Sequence, residues 1–140
     1  IPPSMKNLAK LRSLDLAVNR LEGEIPNTLG ELNQLTVLSL GENQGLTAGS
    51  IPEFITSMTK LRELNMRHTS RTGDLPTKLG KLTDLVLLNF SDNGIQGPVC
   101  SELGKMKDLE FLLLSRNELT GNLPAEIATL TRLGKYCCVD

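Results

Sequence analysis

The chain has 140 residues, a formal net charge of −1 and 22% charged residues. Because acidic and basic residues are interleaved, the sequence lacks the basic stripe that binds nucleic acid or an anionic membrane surface. No apolar run approaches the roughly 18 residues needed to span a bilayer, so we expect any membrane attachment to come from segments outside this chain.

A unit of about 24 residues repeats along the whole sequence. Copies start near residues 1, 25, 51, 75, 99 and 123, which gives about five full repeats and one partial repeat. A period of this length is typical of a solenoid, in which each repeat packs only on its neighbours. We therefore expect a single array over residues 1–140. Neither end shows a polar capping repeat, so we expect either a fragment or a divergent member whose ends are protected in another way.

Each repeat contains a short strand. In the third copy, residues 63–67 alternate, with Leu64 and Met66 apolar and the residues beside them polar. Strands stacked at one per repeat must run parallel, and parallel strands need a long crossover.

The crossover segments carry apolar residues three apart, as in Leu79, Leu82 and Leu85. This spacing predicts a 3₁₀-like or irregular turn with one buried face and a polar, convex outer face.

An asparagine follows most of the predicted strands. A buried carboxamide can both donate to and accept from the backbone of adjacent turns, so stacked copies predict a ladder. We favour this structural role over a ligand role for these residues. The ladder positions are Asn19, Asn43, Asn93 and Asn117.

The repeating pattern LxxLxLxxN resembles the plant-type leucine-rich repeat family over essentially the whole chain. The segment Gly73-Asp74-Leu75-Pro76 and its equivalents match the plant-type subclass. The resemblance implies an α/β fold, a right-handed solenoid with a parallel concave β-sheet and 3₁₀, irregular and short helical segments on the convex side. It also implies a second short strand around the Gly. We expect each of these Gly residues, Gly49 included, to take a turn conformation closed to other residues.

Three copies depart from the pattern. The second copy is two residues longer, through the segment that follows Asn43. The third has Thr69 in place of the ladder Asn and Arg71 in place of a core Leu, so we expect the loop to turn Arg71 outward or to pair it. The fifth has Cys100 in place of Pro, which we interpret as a tolerated substitution.

Side chains that point away from the Leu positions should line the concave sheet in columns, one residue per repeat. One column places Leu87 beside Phe111, and the next places Leu113 beside Cys137. We expect Leu87, Phe111 and Leu113 to form a solvent-facing apolar patch with a polar rim, the usual mark of an interaction site. The alternative is that the patch binds nothing or is covered by a neighbouring repeat. The predicted ligand-binding residues are Glu63, Asn65, Arg67, His68, Leu87, Asn89, Asp92, Phe111, Leu113 and Arg116.

Two single-residue signals are weaker. His68 alone is more often a solvated residue than a catalyst or ligand. Asn89 begins an N-glycosylation tripeptide, Asn89-Phe90-Ser91, but a glycan there would obstruct the predicted patch, so the two interpretations compete. Cys100, Cys137 and Cys138 form an odd set without zinc spacing, and we interpret them as free thiols.

No catalytic motif and no cofactor or metal pattern is present, so we do not expect this segment to be an enzyme. The resemblance implies a module that recognises a protein or peptide ligand, in a receptor-like protein or receptor-like kinase at the cell surface or outside the cell. A secreted inhibitor of cell-wall enzymes is a related possibility. The rival hypothesis is a cytoplasmic scaffold or regulatory repeat of a protist or bacterium. Fold alone does not separate these functions.

Overall fold

The computed structural model describes residues 1–134 and the backbone of Cys137–Cys138. Ten short strands form two parallel sheets, and six 3₁₀ helices connect them. The first sheet has the order β1-β2-β4-β6-β8-β10, and the second has the order β3-β5-β7-β9. The strands are β1 Ser13–Asp15, β2 Val37–Ser39, β3 Gly49–Ser50, β4 Glu63–Asn65, β5 Arg71–Asp74, β6 Leu87–Asn89, β7 Gly94–Pro98, β8 Phe111–Leu113, β9 Glu118–Thr120 and β10 Cys137–Cys138. The 3₁₀ helices are Pro3–Asn7, Asn27–Glu31, Glu53–Ser57, Thr77–Lys81, Ser101–Lys105 and Ala125–Thr129.

The register of the first sheet follows the repeat. Glu63 lies beside Leu87, and Leu87 beside Phe111, so equivalent residues of neighbouring repeats share a column. The predicted register is wrong at the last strand, where Leu113 lies beside Cys138 and not beside Cys137. Gly134 still donates to the Glu110 carbonyl with the regular 24-residue offset. A shift of one position in register exchanges the two faces of a strand.

The crossover segments are 3₁₀ helices, as the three-residue spacing predicts, and no α-helix occurs among residues 1–134. A glycine in the fourth helical position, as at Gly80, allows adjacent turns to pack closely. A Cβ on Gly80 would lie 2.4 Å from the Glu102 carbonyl oxygen, a distance at which the turns would have to separate. The LG step of the repeat is thus a packing requirement between neighbours.

The core runs along the stack and has no single centre. One fully buried leucine in each of three successive strands, Leu64, Leu88 and Leu112, belongs to one core cluster with the buried leucines of the 3₁₀ helices and the fully buried Phe90. Each such side chain contributes about 1.5 to 3 kcal/mol through its removal from water. The fold class predicted from the repeat is confirmed by the two parallel sheets and the 3₁₀ connections.

The second sheet begins just after the ladder position of each repeat, and glycines with positive φ shape it. Gly23, Gly73, Gly97 and Gly121 have φ between 70° and 77°, which favours glycine. The expectation is wrong for Gly49, which does not have positive φ. The two added residues of the second copy give its loop another path, so the turn no longer falls on the glycine.

Asn93 shows how the repeats are joined. Its Oδ1 accepts the N–H groups of Thr69 at 3.1 Å and of Arg71 at 2.9 Å in the preceding repeat. Its Nδ2 donates to the Met66 carbonyl of that repeat and to the Phe90 carbonyl of its own, both at 2.9 Å. One neutral side chain therefore satisfies backbone groups that the strand ends leave unpaired.

Asn43 and Asn117 make equivalent bonds to the preceding repeat and to their own. Asn19 is exposed, and it bonds only to the Leu16 and Ala17 carbonyls of its own repeat.

The ladder is interrupted at Thr69. Its hydroxyl donates to the Met66 carbonyl at 2.8 Å within the same repeat and makes no bond to the preceding one. The lengthened second loop compensates, because the Leu46 N–H is already bonded to the Asn43 carbonyl at 3.2 Å. No carboxamide from the third repeat is needed to accept it.

Arg71 forms the link that Thr69 omits. Its side chain is only 4% exposed, and its guanidinium donates to the Thr69 carbonyl at 2.9 Å, to the Ser50 carbonyl at 3.3 Å and to the Thr47 carbonyl. Burial lowers the pKa of Arg71, since no acidic side chain of the described residues pairs with it. Of the two predicted outcomes, outward turning or pairing, the structure shows pairing.

Candidate functional site

The concave sheet presents side chains to a ligand, but few free backbone groups. Its interior strands are paired on both edges, so their N–H and C=O groups are already bonded to neighbouring strands. A ligand on this face would therefore be read by the columns of outward side chains, which alternate with the buried leucines.

A rim of left-handed residues borders the concave sheet, one per repeat. These residues keep their place in the sheet, because the Glu42 N–H donates to the Arg67 carbonyl and the His68 N–H to the Ser91 carbonyl. A non-glycine residue in this conformation is uncommon and costs about 1 to 3 kcal/mol. The backbone thereby aims the rim side chains along one line. The rim residues are Val18, Glu42, His68, Asp92 and Arg116, with φ between 54° and 59°.

Four charged residues form a chain of ion pairs along this rim. Arg67 contacts Glu42 at 3.2 Å through Nη1 and Asp92 at 2.6 Å through Nε. Arg116 contacts the other oxygen of Asp92 at 3.0 Å. The network joins four successive repeats, from the second through the fifth, with one residue from each.

Asp92 is the centre of the network. Its side chain is 18% exposed, against 44% for Arg67 and 73% for Arg116. The hydrogen bond from Arg67 holds the pKa of the Asp92 carboxyl below its ordinary value; partial burial opposes this, and Arg116 adds to it. The same contact raises the pKa of Arg67. Both residues are therefore charged across the physiological range.

His68 occupies the rim between Glu42 and Gln44. Its Nδ1 lies 3.0 Å from Glu42 Oε2 and 3.3 Å from Gln44 Nε2. Gln44 belongs to the lengthened second loop, so His68 connects that loop to the ion pairs.

The predicted apolar patch lies where the repeat places it, but its side chains are half-buried. Leu87 and Phe111 are neighbours in one column, and Leu113 follows in the next. All three are partly exposed and partly covered.

A shallow depression of about 380 Å³ joins the patch to the rim. It brings together the Leu113 side chain, the two guanidinium groups and the Asp92 carboxylate, together with two hydroxyl groups. Such a surface can hold an apolar group and hydrogen-bond a polar chain at the same time. Its lining residues are Arg67, Asn89, Ser91, Asp92, Leu113, Ser115 and Arg116.

The remaining predicted residues hold side positions. Glu63 is exposed at the start of β4. Asn65 and Asn89 are half-buried in one column, and each accepts a backbone N–H two residues on, from Arg67 and Ser91, at 3.0 Å. The oxygens of both amides are therefore engaged within the strand ends.

Sequence reasoning did not select Glu42 and Gln44 as site residues. Glu42 belongs to the same rim column as His68, and that column could have identified it. Gln44 carries no periodic signal because it lies in the inserted segment, whose path depends on contacts with the next repeat.

Among residues 1–134, no three His, Cys, Asp or Glu side chains converge as metal ligands would. Within the same residues, no helix has the length and apolar character to cross a membrane. Cys100 is a half-buried free thiol whose pKa is raised by burial.

Comparison with known proteins agrees with this architecture. Residues 10–32 and 108–130 match the Leucine Rich Repeat family. The chain is thus a leucine-rich repeat array. Its relatives are plant receptor kinases. Over 64 residues, 45% of this chain and 6% of the relative, it is 39% identical to the LRR receptor-like serine/threonine-protein kinase EFR of Arabidopsis thaliana.

Solved structures place the array in the plant-receptor type, as the resemblance predicted. The Arabidopsis receptor kinase HAESA, in complex with the peptide hormone IDA and the co-receptor SERK1, aligns with a TM-score of 0.91 at 33% identity, over 94% of this chain and 22% of that one. The LRR ectodomain of the Arabidopsis thaliana receptor kinase GASSHO1/SCHENGEN3, in complex with CASPARIAN STRIP INTEGRITY FACTOR 2, aligns with a TM-score of 0.87 at 35% identity, over 94% and 16%. The chain thus spans a small part of each of these three proteins.

Proposed function

We propose that this array recognises an extended peptide or a protein segment through its concave face, as part of the extracellular region of a receptor-like protein. The observation that carries the proposal is the continuous surface formed by the half-buried Leu87, Phe111 and Leu113 and the ion-paired rim. Aromatic and arginine side chains dominate the binding energy of many interfaces when polar groups surround them.

The chemistry of the surface favours a ligand with both apolar and polar groups. The patch offers apolar contacts to a ligand side chain, while the Arg67–Asp92–Arg116 cluster offers donors and acceptors for its backbone. Because Asp92 holds the two guanidinium groups, their positions are largely fixed before a ligand arrives, and less conformational entropy is lost on binding.

The similar structures named above support the proposal. HAESA is complexed with a peptide hormone, and GASSHO1/SCHENGEN3 is an ectodomain of a membrane receptor kinase. For this chain, both the peptide ligand and the extracellular location are inferences from that likeness together with the concave surface.

A selection experiment tests the proposal directly. A displayed library of random twelve-residue peptides is selected on the 140-residue chain, and dissociation constants of individual peptides are measured by calorimetry. We expect Phe111→Ser and Arg67→Gln each to weaken binding by about tenfold or more, the equivalent of about 1.4 kcal/mol.

A matched control lies in the same column. Val37 is also half-buried and faces the concave side, but it lies three repeats from Phe111. Val37→Ser should leave binding within about twofold, and circular dichroism verifies that every variant is folded. Equal losses in Val37→Ser and Phe111→Ser would contradict a site at the patch, and so would a failure of selection to enrich any peptide that binds the unmodified chain.

The glycosylation interpretation makes the opposite prediction. Asn89 lines the depression, so a glycan on its amide would fill the proposed site. We expect Asn89 to be unmodified after secretion from plant cells, as read by mass spectrometry of the tryptic peptide. Full occupancy at Asn89 would overturn the recognition proposal for this depression.

A further inference from the structure

His68 is the single histidine of the chain, and one of its ring nitrogens has two partners with opposite requirements. The Glu42 carboxylate, 3.0 Å from Nδ1, can only accept a hydrogen bond. The Gln44 amide nitrogen, 3.3 Å from the same Nδ1, can only donate one. Nδ1 can satisfy the first only when it carries a proton and the second only when it does not.

The proton on Nδ1 therefore selects the partner. In imidazolium both ring nitrogens carry protons, so Nδ1 donates to Glu42 and can no longer accept a hydrogen bond from the Gln44 NH₂ group. In the neutral ring with its proton on Nε2, Nδ1 accepts from Gln44 and presents its lone pair to the Glu42 carboxylate, which is then repelled. The side chain is 39% exposed, so it exchanges protons with solvent without opening of the fold.

The charges around His68 connect this choice to the rim. Glu42 faces the ring from the preceding repeat, Asp92 occupies the equivalent rim position of the following repeat, and Arg67 bonds to both carboxylates. With His68 neutral, the charges of the four residues in the ion-pair network sum to zero. With His68 protonated, the rim has a net charge of +1 and Glu42 lies between two cations.

We propose that protonation of His68 regulates the concave site by moving Nδ1 from Gln44 to Glu42, which frees the Gln44 side chain of the lengthened second loop and adds one positive charge to the rim. The proposal rests on the function proposed above for this surface. Between pH 5 and 8, histidine is the side chain that ordinarily changes charge.

Nuclear magnetic resonance on the ligand-free chain tests the exchange of partners. Long-range proton–nitrogen spectra of the one imidazole report its tautomer, while the Gln44 amide and the Arg67 Nε–H report its two sides. We expect the neutral ring to hold its proton on Nε2. We also expect the Gln44 and Arg67 signals to move with pH at the same midpoint as the ring.

Two variants divide the effect. Glu42→Gln should abolish the response at Arg67, because the charged link is lost, while the ring still titrates. His68→Gln retains a hydrogen-bonding side chain of similar size and should abolish the pH response at both Gln44 and Arg67. Lys81, exposed on the convex side, provides a control in Lys81→Gln, which should change neither signal.

A neutral ring with its proton on Nδ1 would overturn the proposal, and so would Gln44 and Arg67 signals that do not follow the ring. If peptides are selected on this chain, acidic ones should bind more tightly at pH 5.5 than at pH 7.5, and His68→Gln should remove the difference. A coupled titration without any peptide binding would leave the exchange in place and refute the recognition function. Peptide binding without a coupled titration would support the recognition function and overturn the exchange of partners.

Discussion

The junction between the second and third repeats differs from the junction between the third and fourth. At the latter, the neutral carboxamide of Asn93 bonds to backbone groups on both sides. At the former, Thr69 makes only a local bond, and the buried guanidinium of Arg71 reaches back to Thr47 and Ser50. The same task, pairing of backbone groups between turns, is performed by a neutral group in one place and by a charged group in the other.

The comparison shows what an irregular repeat requires. A longer loop moves the backbone groups that the ladder would meet, and a longer side chain then has to reach them. Arginine provides five N–H donors in a planar fork, which suits several carbonyls at once. The burial of its charge is the disadvantage, and the lowered pKa of Arg71 is the sign of it.

Removal of the carboxamide should have the largest effect. Asn93→Ala leaves the Thr69 and Arg71 N–H groups without an acceptor, so we expect a loss of about 3 kcal/mol in the free energy of unfolding. Urea denaturation followed by circular dichroism measures it. Asn19→Ala is the control, because Asn19 is exposed and bonds only within its own repeat, and it should lose about 1 kcal/mol or less. Similar losses in the two variants would contradict the inter-repeat role of the ladder.

Removal of the guanidinium should cost less. Arg71→Met strands carbonyl groups but also relieves the burial of a charge, and we expect a loss of about 2 kcal/mol. Arg71→Lys should not rescue stability, because a single ammonium group lacks the fork geometry. Arg62→Met, at an exposed position, should change stability by about 0.5 kcal/mol at most. A stabilised Arg71→Met would show that the regular apolar residue is preferred even beside the long loop.

Restoration of the ladder residue alone should not help. Thr69 is fully buried, and the N–H that an asparagine would accept is already bonded within the second loop. Thr69→Asn should therefore lose about 1 kcal/mol through overpacking and an unpaired oxygen. Thermal unfolding shows whether the variant is less or more stable. A rise in Tm would refute the idea that Thr69 suits the longer second loop better than asparagine does. The reverse change, Asn93→Thr, should lose more than Thr69→Asn.

We expect the smallest loss of stability from the ion pairs of Asp92. Acid should weaken them without affecting the Asn93 junction, because carboxamides do not titrate. The pKa of Asp92 is lower in the folded state than in the unfolded state, so its contribution is present above the ordinary aspartate value of about 3.9. It is lost as the pH falls through the folded value. Asp92→Asn should remove about 0.5 to 1 kcal/mol at pH 7, with less difference from the unmodified chain as the pH falls below about 4. A difference that is independent of pH would contradict the ion pairs.

Much of the fold follows from the sequence because one local pattern recurs. The apolar spacing at Leu64, Leu88 and Leu112 determines which face of each strand is buried, and the constant period then determines the register between repeats. The concave columns, including Leu87 beside Phe111, follow from the same reasoning.

Where the period is broken, local reasoning fails. The turn at Gly49 and the direction of Arg71 each depend on the longer second copy and on contacts with another repeat. The partners of His68 were missed for the same reason, since Gln44 is placed by the inserted loop. Partial burial of Phe111 depends on side chains of neighbouring repeats, which no single repeat encodes.

The left-handed rim has a consequence for engineering. At Val18, Glu42, His68, Asp92 and Arg116 the backbone already adopts a conformation that side chains resist, and it does so with five different residue types. The left-handed backbone is therefore independent of side-chain identity, and asparagine or glycine at Val18, which takes no part in the ion pairs, would relieve strain. Combinatorial libraries restricted to this column would vary specificity while leaving the solenoid intact.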